Sequence, residues 1–452
     1  VRVAAVDQPQ RPHRGRLRLH RDEARAEAAE GGGAVAHMRA DVEGEGAGAQ
    51  EARIERVHPG RARRSAVVEP ERSPDPRRPC RSRHARLVLL AFLAEVAHIP
   101  RMTSFAAAAR AAEERLRALF PPTPLQRNEH LCERYGAEIL LKREDLSPVR
   151  SYKLRGAFNA MGKVLEAQPE QQLFVAASAG NHAQGMAYVC RHFGVRGVIY
   201  MPVTTPEQKI MKTRTFGGEH VEIRLTGDYV DDTLAAAKAW CDSAGGHFLS
   251  PFDDPDVIEG QASVAVEMLA QMDGPPDMVV LPVGGGGLSA GITAYLQEAA
   301  PGVELRYVEP AGGASLAAAL VAGGPVTLPR VDTFVDGAAV ARVGAHTFEK
   351  LAHVDPAHVL AAPENRICGT ILEMLNVEGI VLEPAGALAL DVLPELAGEL
   401  RGKRVVCITS GGNFDFERLP EVKERSQRYT GRKKYLILRL SLIHISEPTR
   451  RH

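Results

Sequence analysis

Several features that would place this chain in a specialised class of protein are missing. Its six cysteines, at positions 80, 132, 190, 241, 368 and 407, include no Cys-x-x-Cys pair, a pattern typical of reduced, buried thiols in a cytoplasmic protein. No apolar run reaches the roughly 20 residues of a membrane-spanning helix, and the short run at 87–94 lacks the cleavage site of a secretory signal. The 56 basic and 56 acidic side chains balance, so no excess charge favours nucleic acid or an acidic membrane surface.

The two ends of the chain lack the composition of a folded domain. Residues 1–101 contain twenty arginines but no lysine, asparagine, threonine, tyrosine or tryptophan. Because large apolar residues are also scarce there, we expect a non-native or disordered extension, with Met102 as the natural start. The alternatives are an arginine-rich arm that binds nucleic acid and a transit peptide, although its acidic residues argue against the latter. Residues 440–452 resemble the conceptual translation of a sequencing adapter, and we expect an artefactual tail.

Between these ends, short apolar strands alternate with longer helices. The predicted strands lie at residues 138–142, 173–177, 197–201, 221–225, 247–250, 278–283, 304–309 and 404–409. The predicted helices lie at 103–119, 181–193, 206–216, 229–244 and 261–272, with another that begins at Leu288. This alternation predicts an α/β protein with two parallel sheets covered by helices on both faces. The smaller unit, at about 172–250, is expected to be inserted into the larger one.

One lysine, Lys153, follows a predicted strand and is a candidate reactive residue. Lys153 stands between the aromatic Tyr152 and a short helical run, soon after the strand at 138–142. Loss of water lowers the pKa of an amine and exposes its nucleophilic form, so Lys153 is a candidate Schiff-base lysine. The alternative is a surface lysine that begins a helix and extends its amine into solvent.

Four consecutive glycines, Gly284, Gly285, Gly286 and Gly287, connect a predicted strand to the helix that begins at Leu288. Without Cβ atoms their backbone can curl around an anion, and the helix N-terminus adds a partial positive charge. We therefore expect these N–H groups to bind a phosphate, and the alternative is a flexible connection. The run lacks the Gly-Lys-Ser/Thr ending of a P-loop and the downstream acid of a dinucleotide-binding motif.

Three polar residues also follow predicted strands, at the end where open α/β sheets bind ligands. Ser410 precedes two glycines, and its hydroxyl can bond a ring nitrogen without carrying charge, or cap a turn. Asn181 follows Gly180 and can donate to a ring hydroxyl while neighbouring N–H groups receive a carboxylate, or act as a helix N-cap. His182 has no evident carboxylate partner, which favours a structural role over that of a base.

Taken together, these segments resemble the fold-type-II (tryptophan synthase β) pyridoxal-phosphate enzymes, in particular the threonine dehydratases. The resemblance covers about residues 104–428. It rests on Ser-Tyr-Lys-Leu-Arg-Gly-Ala at 151–157, Ser-Ala-Gly-Asn-His-Ala-Gln-Gly at 178–185, Gly-Gly-Gly-Gly-Leu at 284–288, Glu-Pro-Ala-Gly-Ala at 383–387 and Thr-Ser-Gly-Gly-Asn at 409–413. It implies a catalytic domain over residues 102–428 that binds pyridoxal 5'-phosphate. Residues 429–439 resemble the truncated start of an ACT-like regulatory domain, so we expect this chain not to be inhibited by isoleucine.

The resemblance also implies a role for each candidate residue. Lys153 would carry the cofactor and act as the catalytic base, Tyr152 would lie against the cofactor ring, and Asn181 beside its 3-hydroxyl. Ser410 would bind the pyridine nitrogen. The cofactor phosphate would be bound by the turn, which consists of Gly284, Gly285, Gly286, Gly287 and Leu288. The substrate would be bound by the loop Ser178, Ala179, Gly180, Asn181 and His182.

Two departures from related enzymes refine this prediction. Serine racemases of this fold carry a serine at the position of Ala179, where it acts as a second proton donor, so its absence favours elimination over racemisation. Those relatives also place an acidic metal ligand after the position of Glu309, where this chain reads Pro-Ala-Gly-Gly-Ala-Ser. We therefore expect no metal at this position.

The resemblance predicts deamination of L-threonine to 2-oxobutanoate and ammonia by α,β-elimination of water, the first step of isoleucine biosynthesis, with L-serine giving pyruvate. We expect a cytoplasmic homo-oligomer, a dimer or tetramer, that binds neither nucleic acid nor a membrane. One alternative is another fold-type-II activity, such as dehydration of serine or D-serine, or β-replacement. A second is a non-catalytic protein that binds an amino acid or a nucleotide.

Overall fold

The computed structural model of this chain describes residues 3–5, 104–228 and 230–438. The predicted extension at 1–101, apart from residues 3–5, and the predicted tail at 440–452 lie outside the described residues and stay predictions. Strand β1 (Val3–Ala5) pairs antiparallel with β12 (Leu436–Leu438). The two larger sheets lie in the chain between these two strands, and together they form the α/β fold.

The larger sheet has six strands in the order β10–β9–β8–β11–β3–β2. Their bounds are β2 Leu125–Arg127, β3 Glu138–Arg143, β8 Met278–Pro282, β9 Glu304–Pro310, β10 Val359–Ala362 and β11 Arg404–Thr409. All neighbours run parallel except β2, which pairs antiparallel with β3 at the edge of the sheet. Helices cover both faces. In β11, Val405 and Cys407 enter one hydrophobic cluster, and Val406 and Ile408 enter the cluster on the opposite face. A strand buried on both faces reads as an unbroken apolar run, which is why β11 was predicted with its observed bounds.

The smaller sheet has four parallel strands in the order β6–β5–β4–β7. Their bounds are β4 Leu173–Ala177, β5 Arg196–Met201, β6 Val221–Leu225 and β7 His247–Phe248. All four lie in the chain between β3 and β8, so the smaller sheet is inserted into the fold of the larger one. The predicted fold class is therefore confirmed.

Helices alternate with the strands in both sheets. Their bounds are α1 Phe105–Leu116, α2 Glu129–Tyr135, α3 Lys153–Ala167, α4 Asn181–Phe193, α5 Glu207–Gly217, α6 Val230–Ala244, α7 Pro255–Ala270, α8 Gly287–Ala299, α9 Ser315–Ala322, α10 Ala345–Leu351, α11 Glu364–Val377, α12 Pro384–Asp391, α13 Leu393–Leu400 and α14 Leu419–Tyr429. None of the helices in the described ranges is long and apolar enough to cross a membrane. The cysteines of these ranges are all buried and free.

Helix α3 connects the two parts of the fold. Leu154 and Phe158 belong to the hydrophobic cluster of the smaller sheet, while the other side of the helix meets α7. There the two backbones touch: a Cβ atom on Gly260 would lie 2.6 Å from the carbonyl oxygen of Arg155 and 2.7 Å from the Cα atom of Gly156. Only residues without side chains allow this approach. The contact fixes the helix whose first residue is Lys153.

The same helix contributes one residue, Arg155, to a buried ionic network. Arg155 lies two residues beyond Lys153. The guanidinium of Arg155 is fully buried and donates to the carboxylates of Glu144 and Glu267, with a shortest distance of 2.7 Å to each. Lys142 Nζ also donates to Glu267, at 2.7 Å. Burial opposes the ionisation of Glu267, but the two cations outweigh it and lower its pKa to about 2. Glu267 is therefore ionised at neutral pH, and the hydrogen bonds among the four side chains satisfy their buried polar atoms.

Candidate active site

The amine of Lys153 lies between two aromatic rings at the start of α3. Its Nζ donates a hydrogen bond to the carbonyl oxygen of Pro251 at 2.8 Å. The same atom lies 5.2 Å from the ring centroid of Tyr152 and 6.0 Å from that of Phe252. The side chain is half-buried rather than extended into solvent, so the alternative of an ordinary surface lysine does not hold.

The surroundings of this amine favour its uncharged form. Burial lowers the pKa of Lys153 to about 8, and the negative charge of Glu383 only partly offsets the effect. A lysine with a pKa near 8 is neutral in a substantial fraction of molecules at mildly alkaline pH, whereas an exposed lysine is almost entirely protonated there. The amine is therefore a competent nucleophile and base.

The glycine turn begins two residues after the end of β8 and runs into α8. Gly286 adopts a φ of +92°, a conformation that favours glycine. None of the backbone N–H groups of Gly284, Gly285, Gly286, Gly287 and Leu288 finds an acceptor among the described residues, although the carbonyls of Gly285 and Gly286 accept hydrogen bonds. Consecutive free N–H groups at a helix N-terminus form a concave anion site. The turn therefore fits a phosphate group.

Phe252 connects the glycine turn to the amine. A Cβ atom on Gly285 would lie 2.4 Å from the ring of Phe252, and one on Gly287 would lie 3.0 Å from its Cβ atom. The preceding residue, Pro251, supplies the carbonyl that holds Lys153 Nζ. The lysine amine and the glycine turn therefore both lie next to Phe252.

Asn181 is the first residue of α4, and its side chain does not cap that helix. The N-cap position is occupied by Gly180. Asn181 Nδ2 donates to Glu383 Oε1 at 2.6 Å, and its Oδ1 accepts from Asn413 Nδ2 at 2.8 Å. Asn413 Nδ2 also donates to the carbonyl of Val149, at 2.8 Å. The N-cap alternative therefore fails, and Asn181 instead joins the 178–185 loop to the 383–387 and 409–413 segments.

Ser410 follows β11 and is buried beside the start of α3. Its Oγ donates to the carbonyl of Ala385 at 3.2 Å, while its own carbonyl accepts from the N–H of Tyr152 at 3.2 Å. Its hydroxyl does not cap a turn. The lone pairs of this hydroxyl receive no donor from the described residues. It can therefore accept a hydrogen bond from a ligand, or donate one when its single O–H rotates away from the carbonyl of Ala385.

The loop of Ser178, Ala179, Gly180, Asn181 and His182 connects β4 to α4. Ser178 Oγ accepts from the N–H of Gly180 at 3.2 Å, which shapes the loop. His182 is buried, and its Nε2 lies 3.0 Å from the carbonyl of Leu249, to which it donates. Burial lowers the pKa of His182 to about 3, and the nearby charge of Lys153 adds to the effect. A neutral imidazole held in this way ties the loop to the strand beside it.

Glu309 is the last residue but one of β9 and serves as a cap for α9. Its Oε1 and Oε2 accept from the N–H groups of Leu316 and Ala317 at 2.7 and 2.9 Å. Within the described residues, no three His, Cys, Asp or Glu side chains are grouped so that they could hold a metal ion. The expectation of no metal at this position stays a prediction.

Sequence reasoning missed the part played by three residues. Glu383 and Asn413 lie in quoted segments but received no role, and Phe252 was not singled out. Glu383 and Asn413 are 202 and 232 positions away from Asn181 in the chain. No local spacing predicts such contacts. They arise because the fold brings three separate segments together: the start of α4, the residue before α12 and the turn after β11.

Comparison with known proteins agrees with this geometry. The family model described as "Pyridoxal-phosphate dependent enzyme" matches residues 116–411, which include the lysine, the glycine turn and Ser410. The chain belongs to this family. The enzyme is 47% identical over 316 residues to the biosynthetic L-threonine dehydratase IlvA of Bacillus subtilis, which covers 70% of this chain and 74% of that protein. It is 45% identical over 337 residues to the IlvA protein of Corynebacterium glutamicum, which covers 74% of this chain and 77% of that protein.

Solved structures agree with the sequence comparison. The processed form of threonine deaminase isoform 2 from Solanum lycopersicum superimposes on this pyridoxal-phosphate enzyme with a TM-score of 0.67 and 34% identity. The match covers 71% of this chain and 92% of that one. The predicted resemblance to the threonine dehydratases is confirmed, and so is the cofactor, pyridoxal 5'-phosphate. The free N–H groups of the glycine turn fit its phosphate, and the half-buried amine of Lys153 fits its aldehyde.

Proposed function

We propose that this enzyme converts L-threonine to 2-oxobutanoate and ammonia by α,β-elimination of water, as the first step of isoleucine biosynthesis, and L-serine to pyruvate and ammonia. The observation that carries the proposal is the placement of a half-buried, readily deprotonated lysine amine beside a turn with five free N–H groups. The agreement in sequence with relatives named L-threonine dehydratase supports the choice of substrate.

The cofactor supplies the electron withdrawal that makes the α-proton of an amino acid acidic. In our proposal, the turn formed by Gly284, Gly285, Gly286, Gly287 and Leu288 holds its phosphate. Tyr152 packs against its ring. Ser410 bonds the ring nitrogen through a neutral hydroxyl, and Asn181 donates to the ring hydroxyl.

Lys153 is the catalytic residue in this proposal. Its Nζ holds the cofactor before the substrate arrives and is then free to take the α-proton from the substrate. The lowered pKa of the amine suits both tasks, because each requires the uncharged form. Loss of the β-hydroxyl as water follows, and hydrolysis of the resulting enamine gives the keto acid and ammonia.

The loop at 178–182 is the proposed site for the substrate carboxylate. The N–H groups of Asn181, His182 and Ala183, in the first turn of α4, have no acceptor among the described residues. They can therefore receive an anion, aided by the helix dipole. Ala179, which has no side-chain proton to give, lies in the same loop, and this supports elimination rather than racemisation.

We further propose that the enzyme acts in the cytoplasm as a homo-oligomer. The free and buried cysteines of the described ranges support a reducing compartment. We expect the only substrates of this site to be small amino acids, with neither nucleic acid nor membrane as a partner.

The first prediction tests the proposed chemistry through Lys153→Ala. Threonine-dependent formation of 2-oxobutanoate is measured for the purified parent protein and for the variant. Without the amine, kcat should fall about 10²- to 10⁴-fold, the range that a positioned general base contributes. Lys163→Ala is the matched control, because Lys163 lies on the same helix and is ion-paired with Glu259 at 2.7 Å. That control should keep nearly the activity of the parent.

The same assay separates the alternatives. Keto acid formed by Lys153→Ala at the parent rate would contradict the mechanism. A parent protein that releases keto acid from D-serine but not from L-threonine would point to the other fold-type-II activities. A parent protein that lacks the yellow colour of a bound, borohydride-reducible cofactor would point to a non-catalytic binding protein.

A further inference from the structure

We propose that Glu383 is a positioning residue that fixes the side-chain amide of Asn181 against the cofactor. This inference rests on the proposed function in one respect, namely that Asn181 contacts the cofactor ring. Glu383 begins the segment that leads into α12, and it is buried, with 6% of its surface exposed. It lies on the larger sheet's side of the site, whereas Asn181 begins a helix of the smaller one.

Hydrogen bonds leave Asn181 with one orientation. A side-chain amide has two N–H donors and one oxygen acceptor. Its oxygen accepts from Asn413 at 2.8 Å, and one of its two N–H groups donates to Glu383 at 2.6 Å. Rotation of the amide by 180° would place its oxygen against the carboxylate of Glu383, which is repulsive. One N–H group therefore remains, in a fixed direction, for a ligand.

The carboxyl group of Glu383 is itself held in place. A Cβ atom on Gly411 would lie 2.2 Å from Glu383 Oε1, so the absence of a side chain at 411 leaves the space that the carboxylate fills. The backbone N–H of Glu383 donates to the carbonyl of Gly411 at 3.2 Å. Since Gly411 follows Ser410, Glu383 contacts both Asn181 and the loop that carries the serine.

The charge on Glu383 depends on groups from several elements. Burial raises its pKa to about 7, and Asp336 adds to the effect, whereas Asn181, Lys209 and Lys212 oppose it. Lys153, at the start of α3, and Tyr152, which precedes it, also interact with its charge. Above pH 7 the carboxylate is ionised and accepts a charge-assisted hydrogen bond, which is stronger than a neutral one. As the pH falls through 7, this bond weakens, and the hold on Asn181 weakens with it.

A double-mutant cycle on cofactor affinity provides the second prediction. The dissociation constant of pyridoxal 5'-phosphate is measured by titration of the resolved full-length apoprotein, for the parent, Glu383→Gln, Asn181→Ala and the double variant. At pH 8, Glu383→Gln should weaken affinity about tenfold in the parent background, the difference between a charged and a neutral hydrogen bond. In the Asn181→Ala background the same change should have less than about a twofold effect, because the residue through which Glu383 acts is gone.

The pH dependence gives an independent readout. The affinity of the parent should rise with pH through about 7, and Glu383→Gln should flatten this rise. Glu309→Gln is the matched control: Glu309 is also buried, and its pKa is also raised to about 7, but it caps α9 instead of contacting Asn181. Glu309→Gln should leave both the affinity and its pH dependence unchanged.

Several outcomes would overturn the proposal. An equal loss of affinity from Glu383→Gln in both backgrounds would show that it does not act through Asn181, and so would an unchanged pH dependence. Should Glu383→Gln not fold, Asn413→Ala replaces it in the cycle, because it frees the other end of the same amide and should couple to Asn181 in the same way. A parent protein that binds the cofactor but forms no keto acid from L-threonine would reject the proposed function alone, since the cycle measures only binding.

Discussion

At the scale of single residues, the site combines two ionisable groups that are shielded from solvent, the amine of Lys153 and the carboxylate of Glu383. Burial lowers the pKa of Lys153 and raises that of Glu383, so each group is pushed toward its neutral form. The charge of Glu383 only partly restores the ionisation of Lys153, and Lys209 and Lys212 only partly restore that of Glu383. Both groups therefore titrate near neutral pH, where small changes in their surroundings alter their protonation.

The third prediction concerns the reactivity of Lys153 in the resolved apoprotein. Only an uncharged amine reacts with acetic anhydride, so labelling of Lys153 should rise with pH, with a midpoint near its pKa of about 8. Lys163 is an internal control, because the hydrogen bonds that it donates to Asp256 and Glu259 outweigh burial and raise its pKa. Competitive labelling read by mass spectrometry would contradict the prediction if the two lysines titrated together.

At this scale, the sequence predicted those site residues whose role can be recognised from the residues immediately around them. Lys153, Ser410 and the glycines of the turn each follow a strand and carry a recognisable type of group. The roles of Glu383 and Asn413 could not be predicted in the same way, because their contacts with Asn181 join segments that are 202 and 232 positions apart in the chain. Phe252 was missed because an aromatic residue after a strand is ordinary until the turn that it covers is located.

At the scale of elements, the glycine turn shows how backbone conformation and packing act together. Gly286 needs a positive φ, and a Cβ atom there would also lie 2.8 Å from Thr347 Oγ1. Thr347 cannot move away easily, since it is buried and its hydroxyl bonds the carbonyls of Gly285 and Gly344 at 2.9 and 3.0 Å. The start of α10 therefore packs against the turn and restricts its conformation.

The fourth prediction compares Gly286→Ala with Gly323→Ala. Gly323 also has a positive φ, +73°, but a Cβ atom there would meet no atom within 4 Å. Gly323→Ala should cost only the backbone strain, about 1–2 kcal/mol of the free energy of unfolding, and leave cofactor affinity unchanged. Gly286→Ala should cost more and also weaken cofactor binding, as measured by urea unfolding and by titration. Equal effects of the two changes on affinity would argue against a role for the turn in phosphate binding.

Elements with a strong pattern were predicted nearly to the residue, and weakly patterned ones were not. Strands β4, β6 and β11 and helix α4 have the predicted bounds, because each has an uninterrupted pattern between clear breaks. Strand β10 was missed because its apolar run, Val-Leu-Ala-Ala, is only four residues long and the strand lies partly buried at the edge of the sheet. Helix α7 begins at Pro255 rather than at 261. Its signal was present in the sequence, because Asp254 caps the N–H groups of Asp256 and Val257 and a proline follows the cap.

At the scale of the whole molecule, the alternation of strands and helices predicted two parallel sheets, but it could not place the buried charges. Lys142 lies in β3 amid apolar residues, and nothing in the local pattern shows that Glu267, 125 positions later, faces it. The network of Lys142, Glu144, Arg155 and Glu267 joins β3, α3 and α7, and so links the helix that carries Lys153 to the larger sheet.

The fifth prediction tests what that network contributes, through Glu267→Gln. The change leaves Lys142 and Arg155 buried with only Glu144 to balance them, and removing one partner of a buried ion pair costs about 3–5 kcal/mol of the free energy of unfolding. Glu166→Gln is the control, because Glu166 pairs with Arg115 at 3.4 Å with 63% of its side chain exposed, and such a pair contributes less than about 1 kcal/mol. Urea unfolding at pH 7 compares the two variants. If Glu267→Gln were no less stable than Glu166→Gln, the larger sheet and α3 would be held together by apolar packing and the glycine contact alone, and the network would be dispensable.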